Sequence, residues 1–303
     1  MRKSKLQKNS DIGKKISVQN IKLNLGASPI WRNDDWYILD HKLKKTQDKK
    51  IAGDAENISL KSSSCSVVFS SHVFEHIPNI RLPLILAEIN RVLKKGGTLR
   101  ILTPDLEKIC KAYVKKDKNF LKKAIAEDEN IRKDLGYGGA LMNFIVSPGQ
   151  DTVLVDRSLK NFISGMAHVY LYDYEMLSKI LKDCGFKTRK AKFNDSQIKE
   201  MRVPLHVSGL PKKWANFNQK FYKKNKLKHF YKNGKYTINF TVNGFDRDPV
   251  TSLIIEAKKI SNVSKNSLNK KYNTSKLNYN RYAFSLLKDK DFIKRLKKLK
   301  IKY

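Results

Sequence analysis

Short apolar runs alternate with turns and helical stretches between about residues 20 and 104, and this alternation is the feature that most constrains the fold. The runs are IKLNLG, WYILD, KIAGD, SVVFSS and TLRILTP, each of strand length. Strands joined by helical crossovers pair in parallel, because a parallel connection must pass over one face of the sheet. The sequence therefore predicts an α/β fold with a parallel sheet flanked by helices.

The clearest helix is predicted from about residue 79 to residue 95, where apolar residues recur at helical spacing. Pro83 suits its first turn, and Gly96 supplies a left-handed stop. A second helix is predicted from Asp105, and a third covers residues 172–184. The segments FKTRKAKF and TSLIIEAKK are predicted to be further strands.

The chain divides into three parts. Residues 1–16 are predicted to be a basic N-terminal arm, because they hold little that could be buried. Residues 17–259 form the main domain, with irregular insertions at about 118–166 and 195–249. Residues 260–303 are predicted to be a basic C-terminal tail.

Positive charge is abundant, with 63 lysines and arginines against 28 acidic residues and a formal net charge of +35. Such a charge is compatible with nucleic acid, an anionic membrane or compositional drift. Lysine greatly outnumbers arginine, although arginine is better suited to bidentate phosphate recognition. The three widely spaced cysteines and the lack of an apolar run of about 18 residues favour a cytoplasmic protein.

Small and polar residues follow four successive predicted strands. They are Gly26, Ala27 and Ser28 after the first, Asp40 at the end of the second, Gly53, Asp54 and Ala55 after the third, and Ser70, Ser71 and His72 at the fourth. The carboxyl ends of parallel strands meet at one edge, where open α/β sheets bind ligands. Glycine allows close approach of the backbone to a ligand, and a strand-end acid can accept hydrogen bonds from ribose hydroxyls.

The segment SSHVFEHI followed by EINRVLKKGGTLRILTPD resembles the class I S-adenosylmethionine-dependent methyltransferases, in particular the methyltransferase type 11-like group. The resemblance resumes at AHVYLYDYEMLSKILKDCGF and ends at TSLIIEAKK. It implies a Rossmann-like sheet, mostly parallel with an antiparallel last strand, flanked by helices. It also implies S-adenosylmethionine as the cofactor.

The resemblance implies a role for each strand end. Gly26, Ala27 and Ser28 would hold the methionine moiety, Asp40 the ribose, Asp54 and Ala55 the adenine, and Ser71 and His72 would lie beside the sulfonium. Ser28 stands where the family usually has a second glycine. The short connection between the first two strands predicts that the first helix is very short or replaced by a loop around Trp31.

Two motifs in the sequence suggest other chemistry. His72, Glu75 and His76 spell the inverted zinc-peptidase motif, but the motif directly follows a predicted strand and is interrupted by Pro78. We therefore predict hydrogen-bonding roles for Glu75 and His76, and no metal site. GYGG at residues 136–139 resembles a dinucleotide loop, but no predicted strand precedes it.

Methyl transfer to a hydroxyl needs a positioned acceptor and a group that removes a proton. His76, Asp105 and His168 are the candidates by location. Asn-Pro-Pro-Tyr is absent after the fourth strand, which disfavours amino methylation of bases by that route. Enzymes of the similar group often accompany surface-polysaccharide and lipid modification, so we expect O-methylation of a sugar, polysaccharide, lipid-linked or other small acceptor.

Other functions stay open from the sequence. WANFNQKFYKKNKLKHFYKNGKY interleaves aromatic residues with lysines, which is typical of an RNA-binding surface, so a nucleic-acid methyltransferase is one alternative. A non-catalytic methyltransferase-like binding module is another. Residues 280–303 could form a basic amphipathic helix on the anionic inner membrane face, a helix packed on the domain or a solvated tail.

Overall fold

The structure is a computed structural model that describes residues 20–27, 31, 33, 35–118, 120, 136–146, 168–192, 195–202, 231–232, 235–236, 251–272, 294 and 297–298. Several predictions lie outside these residues. They concern the N-terminal arm, Ser28, most of both insertions and nearly all of the segment 280–303. Within the described part of the chain, no helix combines the length and apolar character needed to cross a bilayer.

Seven strands form one mixed sheet in the order β3-β2-β1-β4-β5-β9-β6. They are β1 (Ile21–Leu25), β2 (Tyr37–Asp40), β3 (Lys50–Ala52), β4 (Cys65–Ser71), β5 (Leu93–Pro104), β6 (Phe186–Lys190) and β9 (Ser252–Lys259). The first five pair in parallel, and β9 runs antiparallel between β5 and β6. Strands β7 (Tyr231–Lys232) and β8 (Lys235–Tyr236) form a separate ribbon. The predicted Rossmann-like sheet with an antiparallel last strand is confirmed.

Among the described residues, five helices have both ends defined and accompany the sheet, together with 3₁₀ turns at Phe74–His76 and Lys199–Arg202. The helices are α1 (Leu82–Val92), α2 (Leu106–Val114), α3 (Gly136–Val146), α4 (Tyr174–Asp183) and α5 (Lys265–Tyr272). Helices α1, α2 and α4 correspond to the three helices predicted from the sequence.

The predicted bounds of α1 were wrong at both ends. The residues just before Leu82 form a turn, in which the Arg81 amide donates to the Pro78 carbonyl at 2.8 Å. At the other end Leu93 has extended backbone angles and begins β5, so the expected stop at Gly96 lies inside the strand. Strand pairing with β4 at Leu93 therefore ends the helix earlier than its apolar pattern predicts.

The glycine-rich segment at 136–139 was expected to be irregular, and it instead forms the first turn of α3. Of the seven helical residues that follow it, only Ala140, Leu141 and Met142 are strong helix formers, so local propensity offsets little of the backbone entropy cost of the glycines. Ala140 of α3 is buried against Ala112 of α2, and the Phe144 ring lies 5.7 Å from that of Phe120. These tertiary contacts stabilise a helix with weak local propensity.

The sheet is covered on both faces by apolar side chains. Alternating residues of β4 show the division, because Val68 belongs to the core with α1 and α4, whereas Phe69 belongs to the core on the other face. In that second core the Trp36 ring meets those of Trp31 and Phe69 edge to face, at 6.3 and 6.4 Å. The described residues between β1 and β2 contain no helix, as predicted, and Trp31 fills the space on this face.

Helix α5 extends the folded domain past residue 259, where the sequence analysis placed the start of the tail. Leu268 is buried in the main core. Lys265 lies 3.3 Å from a carboxylate oxygen of Glu88, and the Tyr272 hydroxyl donates to Asp183 at 2.6 Å. Residues up to Tyr272 therefore pack as part of the domain.

A buried charged network joins three neighbouring strands. Arg100 of β5 is fully buried and lies 2.9 Å from Glu256 of β9, which also pairs with Arg189 of β6 at 2.7 Å. Burial raises the pKa of Glu256. Hydrogen bonds from Ser196 and Gln197 and the two guanidinium groups lower this pKa by a larger amount, so that the net shift is downward. The carboxylate is thus ionised when the protein is folded.

We expect Glu256→Gln to destabilise the fold by about 3–5 kcal/mol, because it leaves the buried Arg100 charge uncompensated. Since the folded pKa lies below the unfolded one, the contribution of Glu256 is present above the unfolded pKa and is lost as the pH falls through the folded pKa. Urea unfolding at neutral and acid pH measures both effects. Glu107→Gln, at an exposed ion pair with Lys111, is the control and should leave stability nearly unchanged. Equal stability of the two variants at neutral pH would contradict the prediction.

Candidate functional site

A cavity of about 380 Å³ opens at the carboxyl ends of β1, β2 and β3. Its volume falls within the roughly 300–1,000 Å³ usual for small-ligand sites. Among the residues that line it are Gly26, Asp40, Asp54, Ala55, His76 and Arg81. Four of these six were predicted as cofactor-binding residues and one as a candidate catalytic residue.

Gly26 is required by the backbone at the end of β1. Its φ angle of +71° lies in the left-handed region, and a Cβ atom built on it would lie 2.4 Å from Cγ2 of Val73. Its amide donates to the Leu39 carbonyl at 2.8 Å, which ties this turn to β2. The close approach of Val73 and the backbone angle both exclude a side chain here.

Asp40 and Asp54 present their carboxylates from the ends of β2 and β3. An oxygen of Asp40 accepts a hydrogen bond from the Lys42 amide at 2.8 Å, and one of Asp54 accepts from the Glu56 amide at 2.9 Å. Each contact is a local turn that fixes the orientation of the carboxylate. Carboxylates accept but do not donate, so the pair is suited to the hydroxyl and amino donors of a nucleoside.

Three of the remaining predicted cofactor residues, Ala27, Ser71 and His72, do not line this cavity. Ala27 is buried in the second core, and Ser28 lies outside the described residues. Ser71 and His72 end β4 without lining the cavity. The Ser71 hydroxyl is buried and has no hydrogen-bond partner among the described residues. His72 has a φ angle of +54°, which is unusual for a residue with a side chain.

His72 is held by two side chains. Its Nδ1 lies 3.0 Å from Oε1 of Glu75, and its Nε2 lies 3.2 Å from the Ser252 hydroxyl. The second carboxylate oxygen of Glu75 accepts from Thr103 at 3.1 Å. These contacts confirm a hydrogen-bonding role for Glu75, as the sequence analysis predicted.

Glu75, His76 and His168 form a compact group, hereafter the His–Glu cluster. One ligand atom from each residue lies within 4.8 Å of the others, and the two imidazole rings meet edge to face with centroids 5.0 Å apart. The Val169 amide donates to the Glu75 carbonyl at 2.7 Å. This backbone contact brings the segment before α4 against the 3₁₀ turn that follows β4.

The charge states in the cluster follow from burial. Burial raises the pKa of Glu75, but the hydrogen bond from His72 and the charges of the three histidines lower it more, so the carboxylate is ionised. Burial lowers the pKa of His168. The charge of Glu75 and the hydrogen bond to the Phe144 carbonyl raise this pKa by a smaller amount, so that the net shift is downward. His168 is therefore neutral near pH 7.

The tautomer of His168 is fixed by its neighbour. Its Nδ1 lies 2.7 Å from the Phe144 carbonyl oxygen, and a carbonyl can only accept. The proton of the neutral ring is thus on Nδ1, and Nε2 carries the lone pair. That nitrogen can accept a proton or bind a metal ion.

Asp105, the third candidate for proton removal, has a structural position. It is fully buried at the N-terminus of α2, where one carboxylate oxygen accepts from the Lys108 amide at 3.2 Å. The other oxygen lies 3.5 Å from the Lys108 ammonium group. Asp105 does not line the cavity, so its geometry is that of a helix cap rather than a base.

Two functional residues were missed by the sequence analysis. Arg81 lines the cavity, and its Nε donates to Glu56 at 2.6 Å. It had been placed inside the predicted helix, where nothing in the local pattern distinguishes it. The sequence predicts only a hydrogen-bonding role for Glu75, because its proximity to His168 depends on a distant segment of the chain.

Part of the chain matches a known protein family, and distantly similar folds occur among solved structures. Residues 35–101 match a family described as a methyltransferase domain. No protein of curated function matches the chain. Among solved structures, similar folds include SAM-dependent methyltransferases from Archaeoglobus fulgidus and Mesorhizobium loti.

The structural similarities are distant. The Archaeoglobus fulgidus protein is 15% identical, with 80% of this chain and 86% of that chain covered and a TM-score of 0.37. The Mesorhizobium loti protein is 12% identical, with 80% and 92% covered and a TM-score of 0.38.

Residues 35–101 match a methyltransferase domain, and the sheet order and the glycine and acids at the strand ends are those expected of a class I S-adenosylmethionine-dependent methyltransferase. The cavity fits its cofactor, because it offers a side-chain-free turn at Gly26 and two oriented carboxylates at Asp40 and Asp54. When bound, S-adenosylmethionine supplies an activated methyl group. The chain's own residues must hold it, orient an acceptor and provide for proton removal.

We expect Gly26→Ala to weaken binding of S-adenosylhomocysteine at least tenfold, because the new Cβ must displace Val73 or shift the turn. Calorimetric titration measures the affinity. Gly138→Ala is a matched control, since its Cβ meets no atom within 4 Å and a helical alanine stabilises by roughly 0.5–1 kcal/mol. Unchanged affinity in Gly26→Ala would remove this turn from the binding site.

Asp40→Asn should weaken the binding of S-adenosylhomocysteine at least tenfold, or by about 1.4 kcal/mol, because one charged hydrogen-bond acceptor is lost. The same titration measures the change. Asp35→Asn, an exposed position outside the cavity lining, should bind as the wild type does. If both variants bind equally well, Asp40 does not contact the nucleoside.

Proposed function

We propose that this enzyme transfers a methyl group to a hydroxyl oxygen of a sugar, polysaccharide, lipid-linked or other small acceptor. The observation that carries the proposal is the position of the His–Glu cluster next to the cofactor cavity. His76 belongs to both, because it lines the cavity and packs against His168.

An oxygen acceptor makes a specific demand on the site. An alcohol is a weak acid and a poor nucleophile while protonated, so its proton must leave as the oxygen attacks the methyl carbon. A neutral imidazole or an equivalent group near the reacting atoms can meet this demand. The neutral His168, with its lone pair on Nε2, and the cavity-lining His76 support this chemistry.

The sequence at the end of β4 supports the choice of oxygen. Ser70, Ser71 and His72 occupy the place where enzymes that methylate amino groups of bases carry Asn-Pro-Pro-Tyr or Asp-Pro-Pro-Tyr. The glycan or lipid-linked class is supported by the resemblance to methyltransferases that often accompany enzymes of surface-polysaccharide and lipid modification.

The acceptor class is tested with methyl-labelled S-adenosylmethionine and three acceptor pools: free sugars, lipid-linked oligosaccharides and transfer RNA. We expect label in a carbohydrate fraction as an alkali-stable methyl ether. Label in RNA would overturn the proposal in favour of nucleic-acid methylation. Tight cofactor binding with no transfer to any pool or to a whole-cell extract would favour a non-catalytic module.

His168→Asn should lower kcat by roughly 10²-fold or more, because proton removal typically contributes about 10²–10⁴-fold to the rate. Its affinity for S-adenosylhomocysteine should stay unchanged, since His168 does not line the cofactor cavity. Steady-state kinetics with the identified acceptor and calorimetry measure the two quantities. A variant with full kcat would show that the His–Glu cluster takes no part in the reaction.

A further inference from the structure

We propose that Glu75, His76 and His168 bind one divalent transition-metal ion, of which Zn²⁺ is the representative. No metal site is predicted from the sequence, because the motif that contains Glu75 and His76 directly follows a predicted strand and is interrupted by Pro78. The evidence for the metal site is the geometry of the His–Glu cluster, which does not depend on the proposed function. The role of the ion, activation of the acceptor hydroxyl, rests on the proposed function.

The donor set suits such an ion. Two imidazole nitrogens and one carboxylate oxygen lie within 4.8 Å of one another, in a partly buried position. Imidazole favours zinc and its neighbours over magnesium and calcium, which prefer oxygen ligands. Three protein ligands are also the number found in catalytic zinc sites, where a further position stays open for water or substrate.

Contacts from outside the cluster hold two of the three side chains in place. The Nδ1–H group of His168 donates to the Phe144 carbonyl at 2.7 Å, which leaves Nε2 as the ligand atom. Glu75 accepts from Thr103 at 3.1 Å and lies 3.0 Å from the His72 ring. Hydrogen bonds of this kind, from neighbouring groups to the metal-binding side chains, are typical of metal sites, where they fix the tautomer and the orientation of each ligand.

The arrangement differs from that of the inverted zinc-peptidase motif. In that motif both histidines would bind the ion and the glutamate would act as a base. Here His72 is occupied by Glu75 and Ser252, and the second imidazole comes from His168. The sequence motif therefore contributes only part of a site that is completed by the segment before α4.

The location gives the ion a task in methyl transfer. His76 lines the cofactor cavity, so an acceptor oxygen held at the cluster lies next to the methyl donor. With Nε2 of His168 bound to the ion, proton removal depends on the ion instead: contact with it lowers the pKa of the acceptor hydroxyl, whose proton passes to solvent. The oxygen forms a bond to the methyl carbon, the carbon–sulfur bond breaks, and its electron pair stays on the sulfur of neutral S-adenosylhomocysteine.

Metal binding is measured on the full chain after chelation and dialysis. Co²⁺ is titrated while its visible absorption is followed, and Zn²⁺ is then added as a competitor. We expect one equivalent of Co²⁺ to bind and to be displaced by Zn²⁺. His168→Gln should weaken binding at least tenfold, whereas His41→Gln, an exposed histidine outside the cluster, should bind as the wild type does.

Thr103→Val tests the outer contact to Glu75 and should weaken Co²⁺ binding by about 10–100-fold. Circular dichroism of each variant establishes that it is folded. Absence of Co²⁺ binding to the folded wild type, or unchanged affinity in His168→Gln, would overturn the metal site.

Methyl transfer with and without chelator separates this inference from the proposed function. Loss of transfer on chelation and recovery with Zn²⁺ supports the role of the ion. Transfer to a sugar hydroxyl that is unaffected by chelation would overturn that role and leave the proposed function intact. Metal binding at the cluster without methyl transfer to any hydroxyl would overturn the proposed function, whereas the inferred metal site would still stand.

Discussion

Parallel pairing of β1 with β2 on one side and β4 on the other is the constraint on which the site depends. At β1 the order of strands reverses, and a crevice opens there because neighbouring connections leave in opposite directions. Gly26 allows the chain to turn tightly against Val73 at this point. Asp40 and Asp54 then reach the same crevice from the next two strand ends, so the cofactor cavity is a direct consequence of strand order.

Buried charge has two different uses in this molecule. Glu256 is held by two guanidinium groups on neighbouring strands, and it fixes the pairing of β5, β9 and β6. Glu75 is equally buried, but the charges around it belong to histidines that can bind ions and exchange protons. The first arrangement stabilises the fold, whereas the second places reactive groups beside the cofactor cavity.

Local pattern predicted much of the fold. The strands, Gly26 and the two strand-end acids were found because each has a local cause: an apolar run, a turn that excludes Cβ, or a polar residue at a strand terminus. The bounds of α1 and the helical state of α3 were missed. Pairing of Leu93 with β4 and packing of Ala140 on α2 override local propensity, and neither contact can be deduced from neighbouring residues.

The sequence by itself determined the succession of strands and helices, and with it the edge of the sheet at which the cofactor residues gather. Only the tertiary structure decided that His168 meets Glu75 and His76, that Asp105 caps a helix, and that Arg81 faces the cavity. The physical reason is distance along the chain. Strand ends are brought together by a regular hydrogen-bonding rule, whereas the His–Glu cluster depends on the packing of one particular connection against a turn far from it in sequence.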